Sequence, residues 1–200
     1  MFITIYTSRV VLKTLGVEDY GIYNLVGGVV ALFSSLKGVF SSAIQRYLNY
    51  TRGLGDEEGV SHIFSLSILV QVVLAVLFFA LVEIFGVFFI PHKLVIPDDM
   101  MDVAMFVFHC SLIASVINIL SVPYDAVIIA NEKMNYYAYI SIAEAVLKLL
   151  VVFLLPMMPF VALKAYAVLI LAIHILVVIA NVVYCRQFKE CKIHKYWDKD

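Results

Sequence analysis

Long apolar stretches without a charged residue dominate this chain and restrict it to folds that are surrounded by lipid. Residues 63–82 contain no Asp, Glu, Lys or Arg, and a membrane-spanning helix needs about 20 such residues. Hydrophobic residues make up 64% of the chain and charged residues 14%, whereas soluble domains average about 45–50% and about 25%. This surplus of apolar side chains predicts an integral membrane protein.

The apolar runs predict helices, because backbone groups inside a bilayer must bond within their own segment. The runs also far exceed the ~9–11 residues of a barrel strand. We expect a bundle of about six transmembrane helices. The predicted spans are Phe2–Leu12, Tyr20–Gln45, Ile63–Val82 (continuing to Ile90 if Glu83 is tolerated), Val103–Ala130, Tyr137–Leu155 and Ala165–Tyr184. Phe2–Leu12 is too short to cross ~30 Å of hydrocarbon, so the first helix is expected to be truncated.

Basic residues between the spans predict the orientation of the bundle. The predicted connections are Arg46–Ser61, Pro91–Asp102, Asn131–Tyr136 and Pro156–Lys164. Arg46, Arg52, Lys133 and the five basic residues after position 185 fall on one side, and three lysines fall on the other. The richer side is expected to face the cytoplasm. We therefore predict a transmembrane lobe over residues 1–185 and a basic cytoplasmic tail or interlobe linker over residues 186–200.

Charged residues inside the spans are the candidates for function, because a charge at the bilayer centre costs about 2.5–3.5 kcal/mol on insertion scales. Lys37 lies about two helical turns from the basic residue Arg46, too deep for its ammonium to reach the headgroups easily. Lys37, Arg46 and Arg9 are the candidates for lining a substrate cavity. Arg9 has an alternative interpretation, in which its side chain only extends to the headgroups.

Three further charged residues are candidates for ion coupling: Asp125, Glu144 and Lys148. Glu144 precedes Lys148 by four residues, the order that pairs best on a helix, so the two can also form a purely structural pair. His109 and His174 are predicted to donate or accept hydrogen bonds between helices, as isolated polar residues in membrane bundles commonly do.

Motifs of soluble enzymes are not found. The segment GLGDEEG at 53–59 lacks the G-K-[ST] of a phosphate loop, and no carboxylate or histidine cluster has metal-ligand spacing. The spacing of Cys110, Cys185 and Cys191 matches no metal or redox motif, so we predict isolated thiols. A net charge of −1 and the lack of a basic run argue against nucleic-acid binding. We expect no enzyme activity, no metal and no cofactor.

Three segments carry a resemblance to a known family: LGVEDYGIYNLVGGVVALF, SSAIQRYL and VPYDAVIIANEKMNYYAYISIAEAVLKL. Together they resemble the polysaccharide-biosynthesis branch of the multidrug/oligosaccharidyl-lipid/polysaccharide exporter superfamily. The resemblance runs from Arg9 to the tail. Its most specific part is the set of short charged motifs between the apolar runs, such as Gln45-Arg46-Tyr47. It implies one six-helix lobe of a two-lobe exporter, with the N-terminal lobe represented here. In the related lipid II flippases a basic residue of the second helix faces the cavity, and Lys37 falls in a similar place.

The resemblance implies a flippase of undecaprenyl-pyrophosphate-linked oligosaccharide in the bacterial inner membrane, serving O-antigen or lipopolysaccharide synthesis. Alternating access around a cationic cavity is the implied mechanism. A second lobe in trans or a homodimer would complete the transporter. Two alternatives remain open: a drug or cation exporter of the same superfamily, and a truncated membrane fragment that does not transport.

Overall fold

The structure, a computed structural model, describes residues 9–13, 16, 19–24, 27–28, 37–93, 96–97, 100–154, 162–188 and 191. Five helices have defined bounds: α1 (Lys37–Gly53), α2 (Glu57–Lys93), α3 (Met101–Ala130), α4 (Met134–Leu154) and α5 (Ala162–Cys185). Residues 9–13, 19–24 and 27–28 are helical as well. The described part of the chain contains no β-strand. The predicted all-α class is thus confirmed.

Four of the helices are long and apolar enough to cross a membrane: Glu57–Ile90, Met101–Ala130, Met134–Leu154 and Leu163–Cys185. They correspond to the last four predicted spans. Glu83 is tolerated inside the first of them, which runs well past Val82. The predicted spans Phe2–Leu12 and Tyr20–Gln45 are described only in part, at residues 9–12, 20–24, 27–28 and 37–45, so the expected total of about six helices stays a prediction.

The predicted connection Arg46–Ser61 is wrong. Residues 46–53 continue α1, and only Leu54–Asp56 separate α1 from α2. Gly55 makes this turn with a φ of 74°, a left-handed conformation that glycine adopts without a steric penalty. Asp56 then caps α2, because its Oδ1 accepts a hydrogen bond of 2.8 Å from the backbone N–H of Gly59. Charged side chains therefore do not end α1; the glycine turn does.

The other predicted connections are also too long. The helix that contains Pro91 continues to Lys93, and the next helix already begins at Met101. α4 begins at Met134, three residues before the predicted start, and α5 begins at Ala162. Helices continue past the apolar core of a span because their backbone hydrogen bonds are local and do not depend on lipid. Of the predicted tail, only residues 186–188 and 191 are described.

α3 is the central helix of the described bundle, since it packs against α1, α2, α4 and α5. One apolar cluster joins the end of α1, the start of α2 and the ends of α3 and α5; its buried members include Leu48, Phe64, Ile128 and Cys185. We call this the Cys185 end of the bundle. A second cluster lies towards the opposite, Met101 end; its buried members include Val82, Phe108, Val152 and Leu163. Residues 9–13 and 19–24 reach this second cluster through Val11 and Ile22.

Candidate functional site

A line of polar side chains lies between α3, α4 and α5, inside helices that are otherwise apolar. We call it the polar seam and define it by Asn118, Ser121, Asp125, Tyr136, Glu144, Lys148, His174 and Asn181. A polar group inside a membrane helix normally faces a partner or a cavity, because hydrocarbon offers it none. The seam therefore shows where this bundle concentrates its polar chemistry.

At the Cys185 end of the bundle, the contacts of the seam converge on Asp125. Its Oδ1 accepts a hydrogen bond of 2.8 Å from Nδ2 of Asn181, which is only 4% exposed. The oxygen of the same Asn181 amide, Oδ1, accepts a hydrogen bond of 3.3 Å from the hydroxyl of Tyr136. The Tyr136 ring stacks on Tyr184 with centroids 3.6 Å apart. These contacts join all three helices and hold the Asp125 carboxylate towards the interior.

Ser121 lies between Asp125 and Asn118 on α3. Its hydroxyl oxygen lies 3.3 Å from Oδ2 of Asp125 and 2.8 Å from the backbone oxygen of Asn118. A hydroxyl has a single proton to donate, so Ser121 can serve only one of these acceptors at a time. The hydroxyl can therefore donate either to Asp125 or to the backbone oxygen of Asn118.

At the middle of the bundle, the seam contains the ion pair that the i,i+4 spacing predicted. Nζ of Lys148 lies 2.6 Å from Oε1 of Glu144, so that prediction is confirmed. Nδ1 of His174 lies 4.0 Å from the same carboxylate oxygen and 3.3 Å from Nδ2 of Asn118. The predicted role of His174 in bonding between helices is thereby confirmed as well.

His174 has two ways to satisfy these neighbours. When Asn118 donates to it, Nδ1 is an unprotonated acceptor and the imidazole is neutral. When Nδ1 carries a proton, that N–H faces the Glu144 carboxylate, which Lys148 already binds. From Tyr136 to Lys148 the seam follows α4 for about 18 Å at 1.5 Å per residue, more than half of a ~30 Å hydrocarbon core.

The structure thus places all three predicted ion-coupling candidates, Asp125, Glu144 and Lys148, in one seam. Sequence reasoning missed Asn118 and Asn181, which provide the contacts to His174 and Asp125. The available signal was an asparagine standing alone in each of two apolar helices. Such residues commonly bond across helices, but the partner cannot be read from their spacing.

A second polar region lies on the outer surface of α1, which we call the α1 outer face and define by Val39, Ser42, Ala43, Arg46, Tyr47, Asn49 and Tyr50. All of these residues are exposed. An open depression of about 550 Å³ is lined there by Ala43, Arg46, Tyr47 and Tyr50. A guanidinium and two phenol rings in one depression offer charge for an anion and flat apolar surface for a ring.

The three basic residues predicted to line a substrate cavity lie in different parts of the structure. Arg46 lines the depression on the α1 outer face. Arg9 is exposed in the helical residues 9–13. The side chain of Lys37, the first residue of α1, lies outside what the structure describes. The joint role of Arg46, Arg9 and Lys37 therefore stays a prediction.

Arg52 has a structural function that was not predicted, because the sequence analysis assigned this residue to a loop. Its guanidinium donates a hydrogen bond to the backbone oxygen of Ala130, the last residue of α3. A cation at a helix C-terminus also offsets the partial negative charge of the unpaired carbonyls. Arg52 thus fastens the end of α1 to the end of the central helix.

Chemically, the seam can hold and exchange protons or a small cation, and the α1 outer face can bind an anion with aromatic support. Comparison with known proteins adds no assignment to this geometry: no family model, curated protein or solved structure matches the chain.

Proposed function

We propose that the chain is one lobe of a flippase that moves an undecaprenyl-pyrophosphate-linked oligosaccharide across the bacterial inner membrane. The observation that carries the proposal is the α1 outer face, where Arg46, Tyr47 and Tyr50 line one open depression and are all exposed. A pyrophosphate needs a cation, and sugar rings stack on aromatic side chains. The resemblance of the segments around Arg46 and Glu132 to polysaccharide exporters supplies the substrate class.

The polar seam supports the energetic part of the proposal. A transporter that exchanges its substrate against an ion needs titratable groups at membrane depth. Glu144, Lys148 and His174 meet that need at the middle of the bundle. In the proposed mechanism, the lobe changes its inclination towards a partner lobe as ions bind to and leave this seam, while the substrate headgroup stays on the α1 side.

Binding of undecaprenyl pyrophosphate to the purified chain tests the proposal directly. Native mass spectrometry in detergent should show an adduct with undecaprenyl pyrophosphate and none with undecaprenol, which lacks the diphosphate. Arg46→Gln should weaken the adduct about tenfold or more, because a hydrogen bond to a charged group is worth roughly 1.5–3 kcal/mol. Arg186→Gln, at an exposed cation beyond the end of α5, is the matched control and should leave the adduct unchanged.

Lys37 is tested in the same assay. If its charge holds the diphosphate, Lys37→Arg should keep most of the adduct and Lys37→Gln should lose most of it, with equal protein in the membrane. An adduct unchanged by Lys37→Leu would remove Lys37 from the site and leave Arg46 and Arg9 as the cationic candidates.

A drug or cation exporter of the same superfamily is the second candidate, and one observation favours it. Away from the ends of the four described spans lie three carboxylates, Glu83, Asp125 and Glu144, and one lysine, Lys148. Binding of tetraphenylphosphonium, a lipophilic cation, in place of undecaprenyl pyrophosphate would establish this alternative. Binding of neither probe would support a membrane protein that does not transport.

A further inference from the structure

Glu83 and His109 form a second ionisable contact, separate from the polar seam. Nε2 of His109 lies 3.0 Å from Oε1 of Glu83, across the interface of α2 and α3. Glu83 is ten residues from the end of α2 at Lys93, about 15 Å along the helix axis. Its exposed neighbours on α2 are apolar, among them Phe79, Ile84 and Val87. We call this pair the Glu83–His109 dyad; it lies in an apolar stretch of the bundle.

The contacts of the imidazole determine how many protons the dyad holds. Nδ1 of His109 lies 2.6 Å from the backbone oxygen of Met105. A carbonyl oxygen only accepts hydrogen bonds, so Nδ1 must carry a proton. A second proton must then lie between Nε2 and Oε1, since two bare lone pairs would repel each other there. With this proton in place the dyad has no net charge, whichever of the two atoms holds it.

The second carboxylate oxygen indicates which atom holds the proton. Oε2 of Glu83 is buried and has no hydrogen-bond partner among the described residues. An unpaired oxygen is costly to bury when it shares a full negative charge, and much less so as the carbonyl oxygen of a neutral carboxylic acid. The observed environment therefore favours a proton on Oε1 of Glu83, donated to a neutral His109.

Close packing beside the dyad keeps α2 and α3 at this distance. Gly86, one turn after Glu83, lies against the ring of Phe108, which is completely buried. A Cβ atom at position 86 would come within 2.1 Å of that ring. The helices can approach so closely only because residue 86 is glycine, and the approach brings Glu83 and His109 within hydrogen-bond distance.

Other titratable groups on the packed elements do not bind the dyad. The described hydrogen bonds and ion pairs join Glu83 and His109 only to each other and to the Met105 carbonyl. The other titratable groups described in this half of the bundle are Asp102 and Cys110 on α3, Lys164 and Tyr166 on α5, and Arg9, Lys13, Asp19, Tyr20 and Tyr23 near the N-terminus. The proton state of the dyad thus depends chiefly on its own two members and on the burial of Oε2 of Glu83.

We propose that the Glu83–His109 dyad is a proton-binding site. In the packed arrangement of α2 and α3 it retains one proton on Oε1 of Glu83. When the two helices separate and water reaches the pair, the O–H bond breaks, the proton passes to water, and a carboxylate remains beside a neutral imidazole. A role for this exchange in transport rests on the proposed export function; the existence of the proton site does not.

Infrared spectroscopy on the full chain in liposomes tests the site independently of any substrate. At neutral pH we expect a carbonyl band of a protonated carboxyl group in apolar surroundings, shifted to lower frequency in D₂O. Glu83→Gln should abolish this band. Glu144→Gln, at a carboxylate that Lys148 neutralises, is the matched control and should leave it unchanged. A missing band, or one that persists in Glu83→Gln, would overturn the proposal.

Nitrogen NMR of histidine-labelled wild-type chain provides a second test that needs no folded variant of Glu83. The expected His109 signals are a protonated Nδ1 and an unprotonated, hydrogen-bonded Nε2. An imidazolium, with both nitrogens protonated, would contradict the proton assignment. If these signals and the infrared band are observed but undecaprenyl pyrophosphate does not bind, the export function fails and the proton site stands.

Discussion

Helices α1 and α2 both pack against α3, yet they present opposite surfaces to their surroundings. From Leu66 to Phe88 the large exposed side chains of α2 are all Leu, Val, Phe or Ile, as at Val76 and Ile84, which are 65% and 73% exposed. On α1 the exposed side chains include Ser42, Arg46 and Asn49 beside the tyrosines. The same neighbour therefore supports two helices that suit different media.

The difference follows from what each medium can do for a side chain. Lipid gives an arginine or an asparagine no hydrogen bonds, so such residues are costly on a lipid-facing surface. Water or a polar ligand provides those bonds. We infer that α2 faces hydrocarbon and that the α1 outer face borders a polar space, which is where a transporter lobe would hold a charged headgroup.

A lysine introduced on each surface tests this inference with the largest expected effect. Val76→Lys places a charge at the middle of α2 and should cost about 2.5–3.5 kcal/mol of insertion free energy, roughly a 100-fold change in the equilibrium. Ala43→Lys on the α1 outer face should leave the amount of folded protein in the membrane unchanged. The measurements are an α2 insertion assay and the membrane yield of both variants. Equal losses would show that both surfaces face lipid.

Replacing one glycine by alanine on each of these two helices should change the free energy of unfolding in opposite directions. Gly86→Ala on α2 meets the buried ring of Phe108, and such overpacking costs about 1–3 kcal/mol. Gly38→Ala on α1 meets no atom within 4 Å, so it should stabilise the chain by up to about 0.5–1 kcal/mol through lower backbone entropy of the unfolded state. Thermal unfolding in detergent measures both. A neutral Gly86→Ala would mean that α2 and α3 are less closely packed than described.

Two tyrosines extend the comparison to the two sides of α4, with the smallest expected effect. Tyr136→Phe removes the hydroxyl that donates to Asn181 and should cost about 0.5–1.5 kcal/mol of unfolding free energy. Tyr139→Phe, on the outer side of α4 and 71% exposed, is the control and should change it little. Similar effects of the two substitutions would place the Tyr136 hydroxyl outside the seam.

Local features were predictable because they depend on residues a few positions apart. The Glu144–Lys148 pair followed from its i,i+4 spacing and is present at 2.6 Å. The C-terminal end of α1 was not predictable from the sequence in the same way. The predicted inner end at Arg46 assumed that a charge ends a helix, whereas helical hydrogen bonds continue to Gly53 and the turn depends on the positive φ of Gly55.

Apolar content and the length of the apolar runs were therefore enough to predict an all-α chain for a lipid environment, because both depend on the solvent and on neighbours in sequence. Pairings across helices depended on the tertiary structure alone. Asp125 meets a residue 56 positions away, Asn181, and Glu83 meets His109 across 26 positions. Which faces of two helices meet is decided by packing over their whole length, as at Gly86 and Phe108, and no short-range pattern in the chain encodes that choice.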